Sequence, residues 1–223
     1  MSFKGFADRD GSFWKALARH QDRDWFKEHK SRYEEDWVHP LEALLLDVRA
    51  GLAPSYARGA LEEPKVFRIY RDVRFGKDKS PFKTNISGTI SLRGNGGTMD
   101  KPVALYLQLG AETFAAAGHY QLQPEPLAKF RRAVADPTRG PELAKLVRSL
   151  EKKGFVIDAA ARLVRVPRGF DADHPLADLL KLKGLVVRFP PLPSIEKPAF
   201  ATWLHEKCAI AAPLVRWTAA ATQ

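Results

Sequence analysis

With one cysteine, Cys208, in 223 residues, the chain cannot form an internal disulfide, and a reducing cytoplasm is its expected setting. Cys208 lies in an alanine-rich stretch with no evident His or Asp partner, which reads as a small buried hydrophobe rather than a reactive thiol. No run approaches the ~20 apolar residues of a membrane span, and the opening MSFKGFADRDGSFW lacks the apolar core of a signal peptide. No membrane partner is therefore expected. The six histidines share no zinc-ligand spacing, so no metal site is expected. No glycine-rich dinucleotide or nucleoside triphosphate loop, no H-E-x-x-H and no G-x-S-x-G occurs, so no cofactor is expected either. The sequence does not set the oligomeric state.

Against these absences stands an excess of positive charge. Lys and Arg number 36 against 26 Asp and Glu, a net charge of +10, with 45% apolar residues to build a core. Charge alone implies a general attraction to polyanions and says nothing of specificity. Its distribution says more. Lys65 to Asn85, KVFRIYRDVRFGKDKSPFKTN, holds seven basic side chains and two acids, so it carries +5 within 21 residues. Phe67, Ile69, Tyr70, Val73, Phe75 and Phe82 thread the same stretch, so the charge is anchored in a fold.

The expected fold class is α+β, a central and mainly antiparallel sheet flanked by N-terminal and C-terminal helices, in one domain over residues 1–223. Ser12 is a plausible cap for a short helix ending near Arg19, and Asp22 or Asp24 caps a longer one. That second helix presents Trp25, Phe26, His29, Tyr33, Trp37 and Leu41 on one face until Pro40 kinks or splits it. From Lys65 the period changes to two. Runs around Phe67–Ile69, Ile86–Leu92, Val103–Leu109 and Thr113–Tyr120 read as strands, with Gly94-Asn95-Gly96-Gly97 as a hairpin loop. Helical texture returns at Pro124–Ala135 and Pro141–Lys152. Phe155–Ile157 and Leu163–Val166 suggest a small hairpin around Asp158. Pro175–Leu182 then reads as a short helix and Leu185–Phe189 as a strand. A C-terminal helix begins at Pro198, with a break expected at Pro213.

The candidate ligand-binding residues are Arg68, Tyr70, Arg71, Arg74, Lys77, Lys79, Lys83 and Asn85. Arginine donates two parallel hydrogen bonds to phosphate or carboxylate, and the lysines supply a charged rim. If the strand yields to a loop near Asp72, the three arginines can converge on one concavity. Two readings stay open at this level: an anion site, or a salt-bridge network in which Asp72 and Asp78 tie a long loop to the body. Asp72, His29 and His174 are the candidate acids or bases, with no identifiable acid–base pair among them. An anionic small molecule is the expected partner. Nucleic acid is the alternative, with aromatics stacking bases between phosphate-neutralising cations, and docking of an acidic protein is a third reading.

The segment FRIYRDVRFGKDKSPFKTN resembles the signature F-R-I-Y-R-D-x-R-F-x-K-D-K-x-P-Y-K-T-N of the DUF2461 family. Trp25-Phe26-Lys27-Glu28-His29-Lys30 with Tyr33-Glu34 is similar to the family's W-F-x-x-H-K-x-x-Y-E helix. Ala117-Gly118-His119-Tyr120, Pro124-Glu125-Pro126-Leu127 and Val166 to Pro175 resemble further family segments. The resemblance spans nearly the whole chain. It implies one α+β domain and brings no known activity. Phe82 stands where the family pattern has Tyr, so a phenol there is not essential, and Arg168 in place of Lys argues against amine chemistry at that position.

Overall fold

The computed structural model of the chain describes residues 2–8, 10–74, 76–94, 100–158 and 162–223. Among these, six strands form one sheet in the order β1-β2-β3-β4-β6-β5, with every neighbouring pair antiparallel. The strands are β1 (Lys65–Val66), β2 (Asn85–Ser91), β3 (Val103–Gly110), β4 (Phe114–His119), β5 (Val156–Ile157) and β6 (Leu185–Arg188). Helices α1 (Ser12–Arg19), α2 (Arg23–Glu28), α3 (Lys30–Tyr33) and α4 (His39–Leu52) precede the sheet. Helices α5 (Pro124–Ala135) and α6 (Arg139–Glu151) follow β4, α7 (Ala177–Leu180) precedes β6, and α8 (Ala199–Thr222) closes the chain. The fold is α+β. No helix among the described residues is long and apolar enough to cross a membrane.

Period-two alternation sorts the strands onto two faces. Ile86, Ile90, Leu105, Leu107, Leu109, Ala115, Ala117, Leu185 and Val187 are all buried. Helix α4 packs on β2, and α8 packs on β3 and β4. Gly88 shows how close this packing is. A Cβ there would lie 2.6 Å from Leu45 Cδ1 and 3.1 Å from the Lys65 carbonyl, so α4 lies on the sheet where a side chain would otherwise stand.

Several local expectations are corrected. Gly11, at φ 65°, occupies the α1 cap position, Ser12 is already helical, and the capping group is Asp8 from outside the helix. Asp22 caps α2, accepting from the backbone N–H groups of Asp24 and Trp25 at 2.9 Å. Pro40 does not split its helix. A π-helical turn over Glu34–Val38 precedes it and absorbs the register change, so the chain stays helical from Lys30 to Leu52. Pro213 does not break α8, because buried Cys208, Ala211, Leu214, Val215 and Trp217 hold the helix on both sides of it. That packing outweighs a lost hydrogen bond costing about 3 kcal/mol. Leu163–Val166 forms no strand. β5 pairs with β6, and only a bridge from Arg162 to Leu182 lies nearby. Residues 95–97 of the expected hairpin loop, Phe75, and residues 159–161 of the expected hairpin lie outside the described residues.

Asp8 organises the N-terminal layer. Its side chain is 1% exposed. It accepts from Ser12 N (3.0 Å), Ser12 Oγ (2.7 Å), Phe13 N (2.9 Å), Trp37 Nε1 (3.3 Å) and Arg32 Nη2 (3.4 Å). Burial raises its pKa, but the Ser12 hydroxyl, the two backbone donors and Arg32 together lower it below the usual 3.8. Asp8→Ala should cost about 3 kcal/mol in urea unfolding, because it strands several buried donors. The stabilisation from Asp8 is fully present above its unfolded pKa and is lost as pH falls through the lower folded value. Asp8→Asn should therefore unfold with less acid dependence below pH 3.8 than the parent chain.

Candidate functional site

The basic segment folds back on itself. Past β1, Phe67 N donates to the Ser87 carbonyl (2.8 Å), Lys83 N to that of Ile69 (2.8 Å) and Arg71 N to that of Pro81 (2.9 Å). Tyr70 bridges Phe82, and Asp72, Arg74, Gly76, Lys77, Asp78 and Lys79 are exposed at the tip. Phe82, 1% exposed, anchors the base against Phe26 (centroids 4.5 Å apart) and Tyr70 (5.4 Å), while its N–H donates to Gln21 Oε1 at 3.1 Å. At the tip Asp72 grips Arg74 through Nε (2.9 Å) and Nη2 (2.7 Å). Asp78 accepts from Ser80 N (2.9 Å) and Ser80 Oγ (2.6 Å) and also pairs with Arg71. The Arg74 hydrogen bonds hold the Asp72 carboxyl below its usual range, and the Ser80 and Arg71 contacts do the same for Asp78. Lys79 Nζ donates to the Val73 carbonyl at 2.8 Å.

The expected site residues therefore do not meet at one point. Arg71 and Arg74 are engaged by the loop's own acids, Arg68 and Lys77 are exposed, and Tyr70 is 50% exposed. Asn85 opens β2 opposite Gly110. His29 donates from Nδ1 to the Trp25 carbonyl (2.8 Å) and stacks on that indole at 4.0 Å, with His20 on Trp25 at 5.4 Å. His174 Nδ1 accepts from Leu176 N at 3.0 Å. Lys83 is the member of the set that reaches a cavity, together with Phe67.

That cavity, about 440 Å3, lies on the sheet face opposite the helices. Thr89 pairs with Tyr106, Tyr106 with Ala116, and Ala116 with Arg188, so these four side chains form one row across β2, β3, β4 and β6. Between Tyr106 and Arg188 the row drops to a methyl group at Ala116, and the next residue of β4 on that face is Gly118. The small side chains of β4 make the hollow. Gly118 is also fixed by its φ of 127° and by the Leu185 carbonyl, 2.1 Å from where a Cβ would stand. Ser87, Val103 and Val186 line the same face, Phe67, Phe114 and Tyr120 flank it, and Lys83, Lys101, Asp158 and Arg188 charge it.

The charges are unequal in freedom. Lys101, 13% exposed, pairs with Glu62 at 2.6 Å. Arg188 donates to Asp158 (3.1 Å) and Glu112 (3.3 Å), which raise its pKa, and its guanidinium lies 4.2 Å from the Phe114 ring centre. Lys83 Nζ donates to the Arg68 carbonyl (3.0 Å) and meets no carboxylate among the described residues. Burial, and then the Arg68 charge, lower its pKa. Among the described residues no group of three or more His, Cys, Asp or Glu could hold a metal ion. Cys208 is fully buried in α8, where burial pushes its thiol pKa up.

Sequence reasoning missed Ser87, Thr89, Lys101, Tyr106, Phe114 and Arg188. The available signal was the polar parity of β2 together with the Phe114-Ala-Ala-Ala-Gly118 run. Pairing register, which places Arg188 in the Tyr106 row, has no local signature.

The family described as Conserved hypothetical protein (DUF2461) matches residues 11–217, so the chain belongs to that family. No curated protein and no solved structure matches it.

The anchoring of the basic segment is testable. Phe82→Ala should lower stability by about 3–5 kcal/mol in urea unfolding, as a fully buried ring is lost. Asp78→Ala, at an exposed tip, should leave the urea midpoint unchanged while speeding amide exchange at Ser80 and Arg71.

Proposed function

We propose that this member of the DUF2461 family binds a small molecule bearing a negatively charged group, seated on the open face of the sheet with that group on Lys83. The observation that carries this reading is Lys83, a cavity-lining lysine whose Nζ donates to the Arg68 carbonyl at 3.0 Å and meets no carboxylate among the described residues. A cation partly withdrawn from water and without a counter-ion gains from pairing with an anion. The volume falls within the range of small-molecule sites, about 300–1,000 Å3. Ser87 offers a hydroxyl on the cavity floor, while that of Thr89 is already given to the Leu105 carbonyl at 2.9 Å.

Binding is the core of the reading. Asp158 is held by Arg188, and the Tyr106 hydroxyl donates to Gln108 Oε1 at 3.1 Å, so neither stands ready as an acid or base. A reaction would draw on Lys83, whose amine burial makes easier to deprotonate. The lone cysteine, buried and unreactive, suits a reducing cytoplasm.

A second reading has its own observation. Tyr70 exposes half its surface, and Arg68, Lys77 and Lys79 of the same segment are exposed, a combination suited to stacking a base of single-stranded nucleic acid. Against it, Arg71 and Arg74 already spend their charge on Asp78 and Asp72. Such binding would survive physiological salt and fall with Tyr70→Ala, whereas binding that vanishes there is counter-ion attraction alone.

Thermal-shift measurements against carboxylates, sugar phosphates and nucleotides test the first reading. At least one anion should raise the melting temperature of the parent chain, and Lys83→Met should abolish the shift. Because only the ammonium pairs with an anion, the shift should fade as pH rises through a Lys83 pKa below the usual 10.5. Stabilisation that ignores Lys83, or none across the panel, contradicts it.

A further inference from the structure

We infer that the molecule bound in this cavity is an aromatic monocarboxylate, a flat apolar body carrying one negative charge, and not a sugar phosphate or nucleotide. This rests on the reading of the cavity as an anion site and narrows its ligand by charge and by shape.

The charge argument is a count of neutralised groups. Three cations line the cavity, and two are matched: Lys101 by Glu62, and Arg188 by Asp158 and Glu112. Among the described residues these three cations face three carboxylates, with no surplus positive charge for a dianion, and Lys83 is the cation that contacts none of them. A monoanion satisfies it. A phosphate monoester carries about −1.5 to −2 at neutral pH, and its surplus charge would sit unpaired against apolar walls. Phosphate sites commonly add forked arginine donors or a helix N-terminus to the point charge of a lysine. Here the Arg188 fork is taken by two carboxylates, and every lining residue comes from a strand or a connecting loop.

The shape argument comes from the rings. Phe67, Tyr106 and Phe114 form a chain along the sheet, with centroids 6.3 Å and 5.6 Å apart and interplanar angles of 47° and 35°. Beneath them the cross-strand row drops at Ala116 to a methyl group between the Tyr106 ring and the Arg188 side chain. A planar ring laid on Ala116 meets aromatic neighbours on the Tyr106 side and a guanidinium on the other, both favourable to a π surface. Polyhydroxylated sugars gain nothing from such walls. Thr89 already gives its hydroxyl proton to the Leu105 carbonyl at 2.9 Å, which leaves few donors for a sugar ring.

A probe series with one ring and different head groups tests this on the full chain by isothermal titration calorimetry. The probes are naphthalene-2-carboxylate, its neutral carboxamide, 2-naphthyl phosphate as the dianion, and glucose 6-phosphate. The carboxylate should bind about tenfold tighter than the carboxamide and the naphthyl phosphate, the worth of one charge-assisted hydrogen bond. Glucose 6-phosphate should not bind. Lys83→Met should bring the carboxylate down to the level of the carboxamide. Ala116→Leu should abolish binding of all naphthalene probes with the circular dichroism spectrum unchanged; if that variant misfolds, probe-induced shifts of the Ala116 and Val186 methyl signals in the parent chain provide the same reading. Tighter, Lys83-dependent binding of either phosphate overturns the monocarboxylate assignment and leaves the anion site standing. Equal binding of carboxylate and carboxamide, unaffected by Lys83→Met, overturns the anion site itself, as does no binding by any probe. A dimer in sedimentation that Ala116→Leu dissociates would make a second copy of the chain the occupant and overturn both.

Discussion

The packing of α4 and α8 onto one face of an antiparallel sheet sets where everything else can happen. Leu41 and Leu45 press on β2 so closely that Gly88 has no room for a side chain. The aliphatic parity of β2, β3 and β4 is consumed in that contact, and Leu185 and Val187 of β6 are buried in the same core. An antiparallel sheet can leave its other face to water, and the usual result is a polar surface. Here the other face carries Phe67, Tyr106 and Phe114, with a depression at Ala116. Apolar surface of this kind is costly to leave in water, and concave apolar surface with few polar groups is the usual form of a ligand site.

Charge on the chain divides into a structural and an available part. In the segment Lys65 to Asn85, Asp72 and Asp78 bind two of the arginines and close the loop tip. These are exposed contacts, which order a loop more than they stabilise a fold. The anchoring is apolar and lies at the base, where Phe82 and Ile69 are buried. Anchor and ladder together carry Lys83 to the edge of the sheet and turn it toward the open face. On the proposed reading the segment supplies a network at its tip and one ligand-contacting residue, Lys83, at its base.

Elements governed by local rules were legible in the sequence. Helix α5 begins at Pro124 and ends at Ala135 as its pattern indicates, and the alternation of β2, β3 and β4 is plain. Where the sequence misleads, tertiary packing overrides a local preference: the π-helical turn before Pro40, the passage of α8 through Pro213, and the Asp8 cap reaching α1 from outside. The site was half legible. Its basic edge at Lys83 lies within a conspicuous segment, but Arg188 is more than a hundred residues away and joins only through the β4–β6 pairing. Lys101 reads as an ordinary surface lysine until Glu62 is seen beside it. Pairing register and side-chain parity between distant strands leave no local trace, so the cavity appears only once the sheet is assembled.

The central claim is that the uncovered sheet face, and not the basic loop tip, is where this protein meets its ligand. Amide and methyl chemical shifts during titration with naphthalene-2-carboxylate locate that contact directly. The account predicts perturbations concentrated at Ser87, Thr89, Tyr106, Ala116 and Val186, with little change from Asp72 to Ser80. Perturbations confined to the loop tip, or scattered over the helical side, would contradict it.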